Sequence, residues 1–163
     1  MSTPLPQARF FEHRSEFQAT VLEAIGRAET ELLMFDPTYA DWRINAPEFE
    51  AALLAFFGRS TRAALRMVIT DAERLNRDYP RLVRVLRQYA HRADCRITPE
   101  VHASLNETML IVDRSSALRR PITTRTNGVW RVLDSEYANA QHDRFEELWE
   151  ACHERFSPTT LGL

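Results

Sequence analysis

Three short, almost wholly apolar runs constrain the fold of this chain more than any other feature of its sequence. They lie at residues 31–35, 64–70 and 108–113, and each has the length of a buried strand. Segments with apolar residues at helical spacing precede the first run and separate the three. This alternation predicts an α/β fold with a mixed β-sheet flanked by helices.

Local signals predict where the helices begin. Ser15, Asn45 and Asp71 are residue types that favour the N-cap position, and each stands just before a segment of helical periodicity. Pro80 predicts a break in the helix that follows Asp71. The other predicted elements are short strands at 95–97, 116–119 and 128–133 and a closing helix from about residue 135. The predicted order is α-β-α-β-α-β-β-β-β-α.

The composition fits a single globular domain over residues 1–163, with 44% hydrophobic and 27% charged residues. No apolar run is long enough to span a membrane. The first residues have neither a basic nor an apolar signal region, so we expect a cytoplasmic protein. Cys95 and Cys152 are far apart and in no ligand spacing, which predicts reduced thiols, with a disulfide as the alternative, and no metal site. We also expect no cofactor.

All 21 basic residues are arginine, so chemistry that depends on lysine is excluded. From Arg59 to Arg131 the chain has 15 arginines and seven acidic residues. This basic segment could form a face that attracts anions, or its arginines could pair with acids on neighbouring helices. The net charge of −2 and the absence of a known basic and aromatic motif argue against nucleic acid as a partner.

The element order and two local patterns resemble the phospholipase D superfamily, in particular its small single-motif members such as the bacterial periplasmic endonucleases. One pattern is a strand at residues 66–71 that ends in aspartate. The other is a closing helix with Phe145 and Trp149 four residues apart. The resemblance covers about residues 15–156 and implies a phospholipase D-like half-domain.

The family's signature strand has the pattern His-x-Lys-x4-Asp. If Asp113 takes the aspartate position, Asn106 takes the histidine position and Thr108 the lysine position. The family uses two such histidines, one as nucleophile on phosphorus and one as general acid, while lysine holds the phosphate oxygens. An asparagine amide neither ionises nor attacks phosphorus, and a threonine carries no positive charge. The resemblance therefore implies a degenerate motif without catalytic residues, in which Asp113 accepts N–H groups of the turn after its strand.

Other side chains are weaker candidates for chemistry. His102 lies four residues before Asn106 and could reach the same region, although a surface position is the simpler interpretation. Asp36 and Asp71 both follow apolar runs and could hold a divalent cation, or could stabilise a turn and a helix start. Arg119 and Arg120, just after the signature strand, are the residues we expect to bind an anion, unless they pair with nearby acids.

These observations predict a non-catalytic domain that serves as a binding or interaction module, with a small anionic ligand as one candidate partner. The resemblance also implies a homodimer with Asn106 and Thr108 near its interface. The alternative is a hydrolase or phosphotransferase with a rearranged site that acts on a small phosphorylated substrate.

Overall fold

A mixed sheet of eight strands forms the centre of the computed structural model, which describes residues 5–100 and 105–158. His102 lies outside these residues. The strands are β1 (Gln7–Phe11), β2 (Glu31–Phe35), β3 (Ala64–Ile69), β4 (Ala93–Ile97), β5 (Thr108–Val112), β6 (Ser116–Arg120), β7 (Gly128–Val132) and β8 (Glu154–Arg155). The helices are α1 (Arg14–Arg27), α2 (Pro47–Arg59), α3 (Ala72–Asp78), α4 (Pro80–Gln88) and α5 (Ser135–Ala151).

The strand order is β1-β7-β6-β5-β2-β3-β4-β8. Strands β2, β3 and β4 are parallel, as expected where helices connect successive strands, and all other neighbours are antiparallel. The three apolar runs become β2, β3 and β5 in the middle of the sheet. The predicted α/β class with a mixed sheet flanked by helices is confirmed.

The two faces of the sheet carry two separate apolar clusters. Leu32 and Met34 of β2 pack with α1, α2 and α4, whereas Leu33 and Phe35 pack under α5. Consecutive residues of a strand point to opposite faces, so a strand in this position must be apolar throughout. This is why the runs do not alternate with polar residues.

Two of the predicted helix starts are wrong by a residue or two. The N-cap of α1 is His13 and not Ser15, and its backbone N–H donates to the Glu16 carboxylate at 3.2 Å. The N-cap of α2 is Ala46, because the side chain of Asn45 is used elsewhere: its Oδ1 accepts from the backbone N–H of Arg81 at 3.0 Å. The bond of Asn45 is a tertiary one, which the local sequence pattern around α2 does not contain.

The prediction for Asp71 is confirmed. Its carboxylate accepts from the backbone N–H of Arg74 at 3.0 Å and caps α3, where a negative charge also interacts favourably with the helix dipole. The predicted break at Pro80 is confirmed too, since α3 ends at Asp78 and α4 begins at Pro80.

Arginines also satisfy the carboxyl ends of three helices. The guanidinium of Arg59 donates to Ala28 after α1, Arg92 to Ser60 after α2 at 2.8 Å, and Arg96 to Trp149 of α5 at 3.0 Å. Others pair with acids: Arg66 with Glu146, Arg81 and Arg84 with Glu50, and Arg131 with Asp134. These arginines of the basic segment therefore serve the fold.

Among the described residues, no helix is both long and apolar enough to cross a membrane.

Candidate functional site

The three positions of the signature motif lie around β5, but in different environments. Thr108 is its first residue and is fully buried. Asn106 is exposed, and its carbonyl and amide oxygens accept from the backbone N–H of Thr123, at 3.0 Å, and from the hydroxyl of that residue. Asp113 follows the opposite end of the strand. The three side chains do not share one pocket.

A buried network encloses Thr108. Its hydroxyl donates to Oδ2 of Asp36 at 2.5 Å. Arg120 lies directly opposite Thr108 across the β5–β6 pair, and its Nε donates to the threonine Oγ1 at 3.1 Å. Nη2 of Arg120 donates to Asp36 Oδ2, also at 3.1 Å. An arginine guanidinium thus lies beside the position where the resemblance expects a lysine.

Asp36 is the centre of this network. Besides Thr108 and Arg120, its Oδ2 accepts from the indole N–H of Trp42 at 3.1 Å. Its Oδ1 accepts from the backbone N–H groups of Thr38 and Tyr39 at 3.0 and 2.8 Å. With five donors on two oxygens and an exposed fraction of 1%, this carboxylate has no free position for a cation. It is used as a structural acceptor.

Arg120 was expected to bind an external anion, and the structure gives it a different role. It is 1% exposed, and its Nη1 donates to Asp41 at 2.8 Å. Its guanidinium also lies over the ring of Phe17, with the central carbon 4.2 Å from the ring centroid. Asp41 is shared with Arg14, whose Nε lies 3.1 Å from its Oδ1. The charge of Arg120 is therefore neutralised within the protein.

The chemistry of this cluster is limited by access. A hydroxyl bonded to a carboxylate, as in Thr108 and Asp36, is the arrangement that activates a nucleophile in some enzymes. Here Thr108 is 0% exposed, and the β6 side of its hydroxyl is occupied by Arg120. A phosphorylated substrate cannot reach the hydroxyl without displacing Arg120.

Asp113 joins two parts of the chain that are far apart in sequence. Its carboxylate accepts from the backbone N–H groups of Glu29, Thr30 and Glu31, each at 2.9 Å. The sequence predicted bonds to the turn after its own strand, whereas the donors lie in the loop before β2 and at the first residue of β2. Asp113 has a φ of 53°, in the left-handed region that aspartate tolerates better than most residues. It fixes the start of β2 against the end of β5.

Arg119 is partly exposed and already paired. Its Nη2 lies 3.4 Å from Glu107, which also accepts from Arg144 of α5. The two carboxylates considered for a cation, Asp36 and Asp71, are occupied by the network and by the cap of α3. In residues 5–100 and 105–158, no cluster of three His, Cys, Asp or Glu side chains could hold a metal ion.

The loop between β2 and α2 supplies residues that sequence reasoning missed. Asp41, Trp42 and Tyr39 all contact the network, and Tyr39 has a φ of 58°. Burial raises the pKa of the Tyr39 phenol well above its ordinary value, and the charge of Asp36 raises it further. Its hydroxyl donates to the carbonyl of Val68 at 2.8 Å. Trp42 was the one sequence signal that could have pointed to this loop, because a buried indole N–H needs a hydrogen-bond acceptor nearby.

The fold belongs to a known structural class. The chain is similar to Nuc, a phospholipase D family member from Salmonella typhimurium, with a TM-score of 0.71 and 16% identity over 94% of this chain and 100% of that one. It is also similar to NucT from Helicobacter pylori, with a TM-score of 0.57 and 11% identity over 92% and 99%. At these identities the similarity defines the fold alone, which is phospholipase D-like.

The chain belongs to the family DUF7931, described as a domain of unknown function, whose pattern matches residues 13–157. A comparison by sequence with curated proteins finds no match.

A third similar structure bears on the expected partners. TrmBL2, an archaeal chromatin protein with a novel mode of DNA binding, has a TM-score of 0.68 and 14% identity. The match covers 91% of this chain and about half (52%) of TrmBL2. The expectation that nucleic acid is an unlikely partner does not agree with this similarity and is withdrawn.

Proposed function

We propose that this chain is a non-catalytic domain of phospholipase D-like fold that serves as a binding or interaction module. The observation that carries the proposal is the closed network of Thr108, Asp36 and Arg120. It fills the place where the resemblance expects catalytic groups, and Arg120 and Asp36 are each 1% exposed. Asn106 has no ionisable group and the Thr108 hydroxyl is fully buried, so we expect neither motif position to supply acid–base or covalent catalysis.

A hydrolysis screen tests the proposal directly. Chromogenic phosphodiesters and phosphomonoesters are incubated with the purified chain, with and without divalent cations, and we expect no turnover above the buffer rate. The double variant Asn106→His and Thr108→Lys should stay inactive as well, because Arg120 still fills the pocket. Turnover by the wild type that is lost in His102→Ala or Asp36→Asn would contradict the proposal. It would support the alternative, a hydrolase or phosphotransferase with a rearranged site. Asp71 is the other candidate catalytic residue of that site.

The anionic ligand remains part of the proposal in a narrower form. Arg120 is neutralised inside the protein, so Arg119 is the remaining candidate of the two. An anion would have to compete with Glu107, which lies 3.4 Å from the Arg119 guanidinium. Titration with inorganic phosphate, followed by NMR shifts, should respond more strongly in Glu107→Gln than in the wild type. If phosphate causes the same NMR shifts in Arg119→Met as in the wild type, Arg119 is excluded as the anion site.

Nucleic acid is a second candidate partner. Two observations favour it: the similarity to a DNA-binding chromatin protein over most of the chain, and the 15 arginines between Arg59 and Arg131. Several of those arginines, among them Arg66, Arg81 and Arg84, are ion-paired within the protein, and the others would have to supply the phosphate contacts. Fluorescence anisotropy with labelled duplex DNA at several salt concentrations decides the question, since phosphate contacts make affinity fall steeply with salt. No binding at low salt excludes this candidate.

Self-association is the third part of the proposal. Thr108 has no exposed surface and cannot lie in an interface, although the exposed Asn106 can. A dimer can therefore use Asn106 or another exposed surface, but Thr108 itself makes no contact with the partner. Light scattering on the purified chain at tens of micromolar gives the oligomeric state directly.

A further inference from the structure

The two edges of the sheet differ in how they are protected. Edge strands expose unpaired backbone groups, and natural proteins usually protect them by shortening the strand or by placing charges on it. Strand β8 fits this rule, since it is two residues long and both residues, Glu154 and Arg155, are charged. Strand β1 does not, because its sequence Gln-Ala-Arg-Phe-Phe contains five residues and a single charge.

That one charge does not protect the free edge of β1. Arg9 turns toward α1, where its Nη2 donates to Glu23 at 2.7 Å. The outer edge of β1 has no strand beside it among residues 5–100 and 105–158. On its inner side the strand pairs antiparallel with β7.

Phe10 of β1 is a large aromatic side chain left in solvent. It is 71% exposed and lies on the face of the sheet covered elsewhere by α5, because it is opposite Val129, which in turn is opposite Arg119. Strands β1 and β7 extend beyond the part of the sheet where α5 makes most of its contacts, which is over β5, β6 and β2. Phe10, Val129 and Pro121 line a shallow cavity of about 250 Å³.

We propose that β1 pairs with β1 of a second copy of this chain, antiparallel and about a two-fold axis at Phe10. This inference names the partner and the surface for the interaction module proposed above, and it rests on that proposal. It joins two sheets of eight strands into one continuous sheet. The two Phe10 side chains lie directly opposite each other, and each covers the apolar surface beside Val129 of its partner.

The sequence of β1 favours this register over its neighbours. An axis at Arg9 places two arginines directly opposite each other, which is unfavourable. An axis at Ala8 places Phe10 opposite Pro6, which has no N–H to donate. An axis at Phe10 pairs the two aromatic rings, which is favourable across strands, and brings no two like charges face to face. The strand is thus complementary to itself.

Light scattering on the full chain tests the surface. The wild type should give twice the 19.0 kDa mass of the chain, and Phe10→Glu should give one chain mass. Leu5→Glu is the matched control, because Leu5 is similarly exposed (80% against 71% for Phe10) but precedes the strand, and this variant should remain dimeric. Phe10 is mostly exposed, so Phe10→Glu should fold like the wild type, and circular dichroism is the check on its fold. A monomeric wild type overturns this inference but not the absence of catalysis, which the hydrolysis screen tests separately.

Cysteine cross-linking tests the register. The native thiols of Cys95 and Cys152 are buried, so oxidised glutathione should act mainly on an introduced cysteine. Phe10→Cys should form a disulfide-linked dimer, because opposite residues on paired strands are close enough for a disulfide. Leu5→Cys should not, since the two copies of residue 5 would be ten strand positions apart, roughly 33 Å. A dimer that resists Phe10→Glu, or that cross-links at Leu5→Cys and not at Phe10→Cys, overturns the proposed pairing.

Discussion

Arg120→Met is the substitution that most directly tests the buried network. Methionine has a similar length and can still pack beside Phe17, but it removes the guanidinium over that ring and three hydrogen bonds at once. Nε no longer donates to Thr108, Nη2 no longer donates to Asp36, and Nη1 no longer donates to Asp41. The carboxylate of Asp36 then stays buried without its cation.

The expected cost follows from this loss of one partner. Removing one member of a buried ion pair typically costs about 3–5 kcal/mol, because the other charge remains desolvated. Asp41 is 21% exposed at its side chain and keeps Arg14, so its share should be small. In a domain of this size each kcal/mol changes the melting temperature by about 2–4 °C, which gives a decrease of roughly 6–20 °C.

Urea unfolding followed by tryptophan fluorescence measures the change, since Trp42 donates to Asp36 and reports on the network. Arg125→Met is the control, because Arg125 is exposed, and it should change the free energy of unfolding by less than about 0.5 kcal/mol. In an Asp36→Asn background, Arg120→Met should lower the free energy of unfolding much less, because no buried carboxylate is left without its cation. If Arg120→Met alone lowers the free energy of unfolding by less than about 1 kcal/mol, the ion pair contributes little to stability. That result would refute the view that Arg120 is needed to neutralise Asp36.

Three further substitutions test other parts of the structure. Asp113→Ala removes the acceptor of three backbone N–H groups and should lower the free energy of unfolding by about 2–4 kcal/mol in chemical denaturation, while Asp113→Asn, which keeps one oxygen, should lose less. Gly128→Ala should destabilise by about 1–3 kcal/mol in the same assay, because the new Cβ would lie 2.4 Å from the carbonyl oxygen of Arg119; an unchanged midpoint would mean that β7 can move. Arg66 lowers the pKa of Glu146 by donating a hydrogen bond, so the ionised pair stabilises the fold at neutral pH and this contribution is lost as pH falls through the lowered pKa. Arg66→Gln should therefore be less stable than the wild type at pH 7 by at most about 1 kcal/mol, with a difference that narrows in acid; a difference that widens in acid would contradict this sign.

The centre of the sheet could be predicted from sequence because burial on both faces leaves a strong local signal. Strands β2, β3 and β5 are apolar at nearly every position, which marks them as buried on both faces. The edges were missed for the opposite reason. Strand β1 is exposed at four of its five positions and β8 at both of its two, so neither has a buried face to produce a pattern.

The site was predicted in part. The motif positions Asn106, Thr108 and Asp113 follow from alignment on one strand, and Asp36 was noted because it ends another. The pairing of Arg120 with Asp36 joins residues 84 positions apart and depends on which strands become neighbours. No local pattern contains that information, so an arginine that neutralises a buried acid looks in sequence like one that is free to bind an anion.

The position of Arg120 has a consequence for attempts to engineer this scaffold. A phosphodiesterase centre would need open space and an uncompensated positive charge beside residue 108, and the present side chains provide neither. Clearing that space means removing a group that also holds β5, β6 and the loop after β2 together. Designers would therefore have to introduce other interactions that hold these elements together before adding any reactive group. Without them, activity gained at residues 106 and 108 would lower the melting temperature.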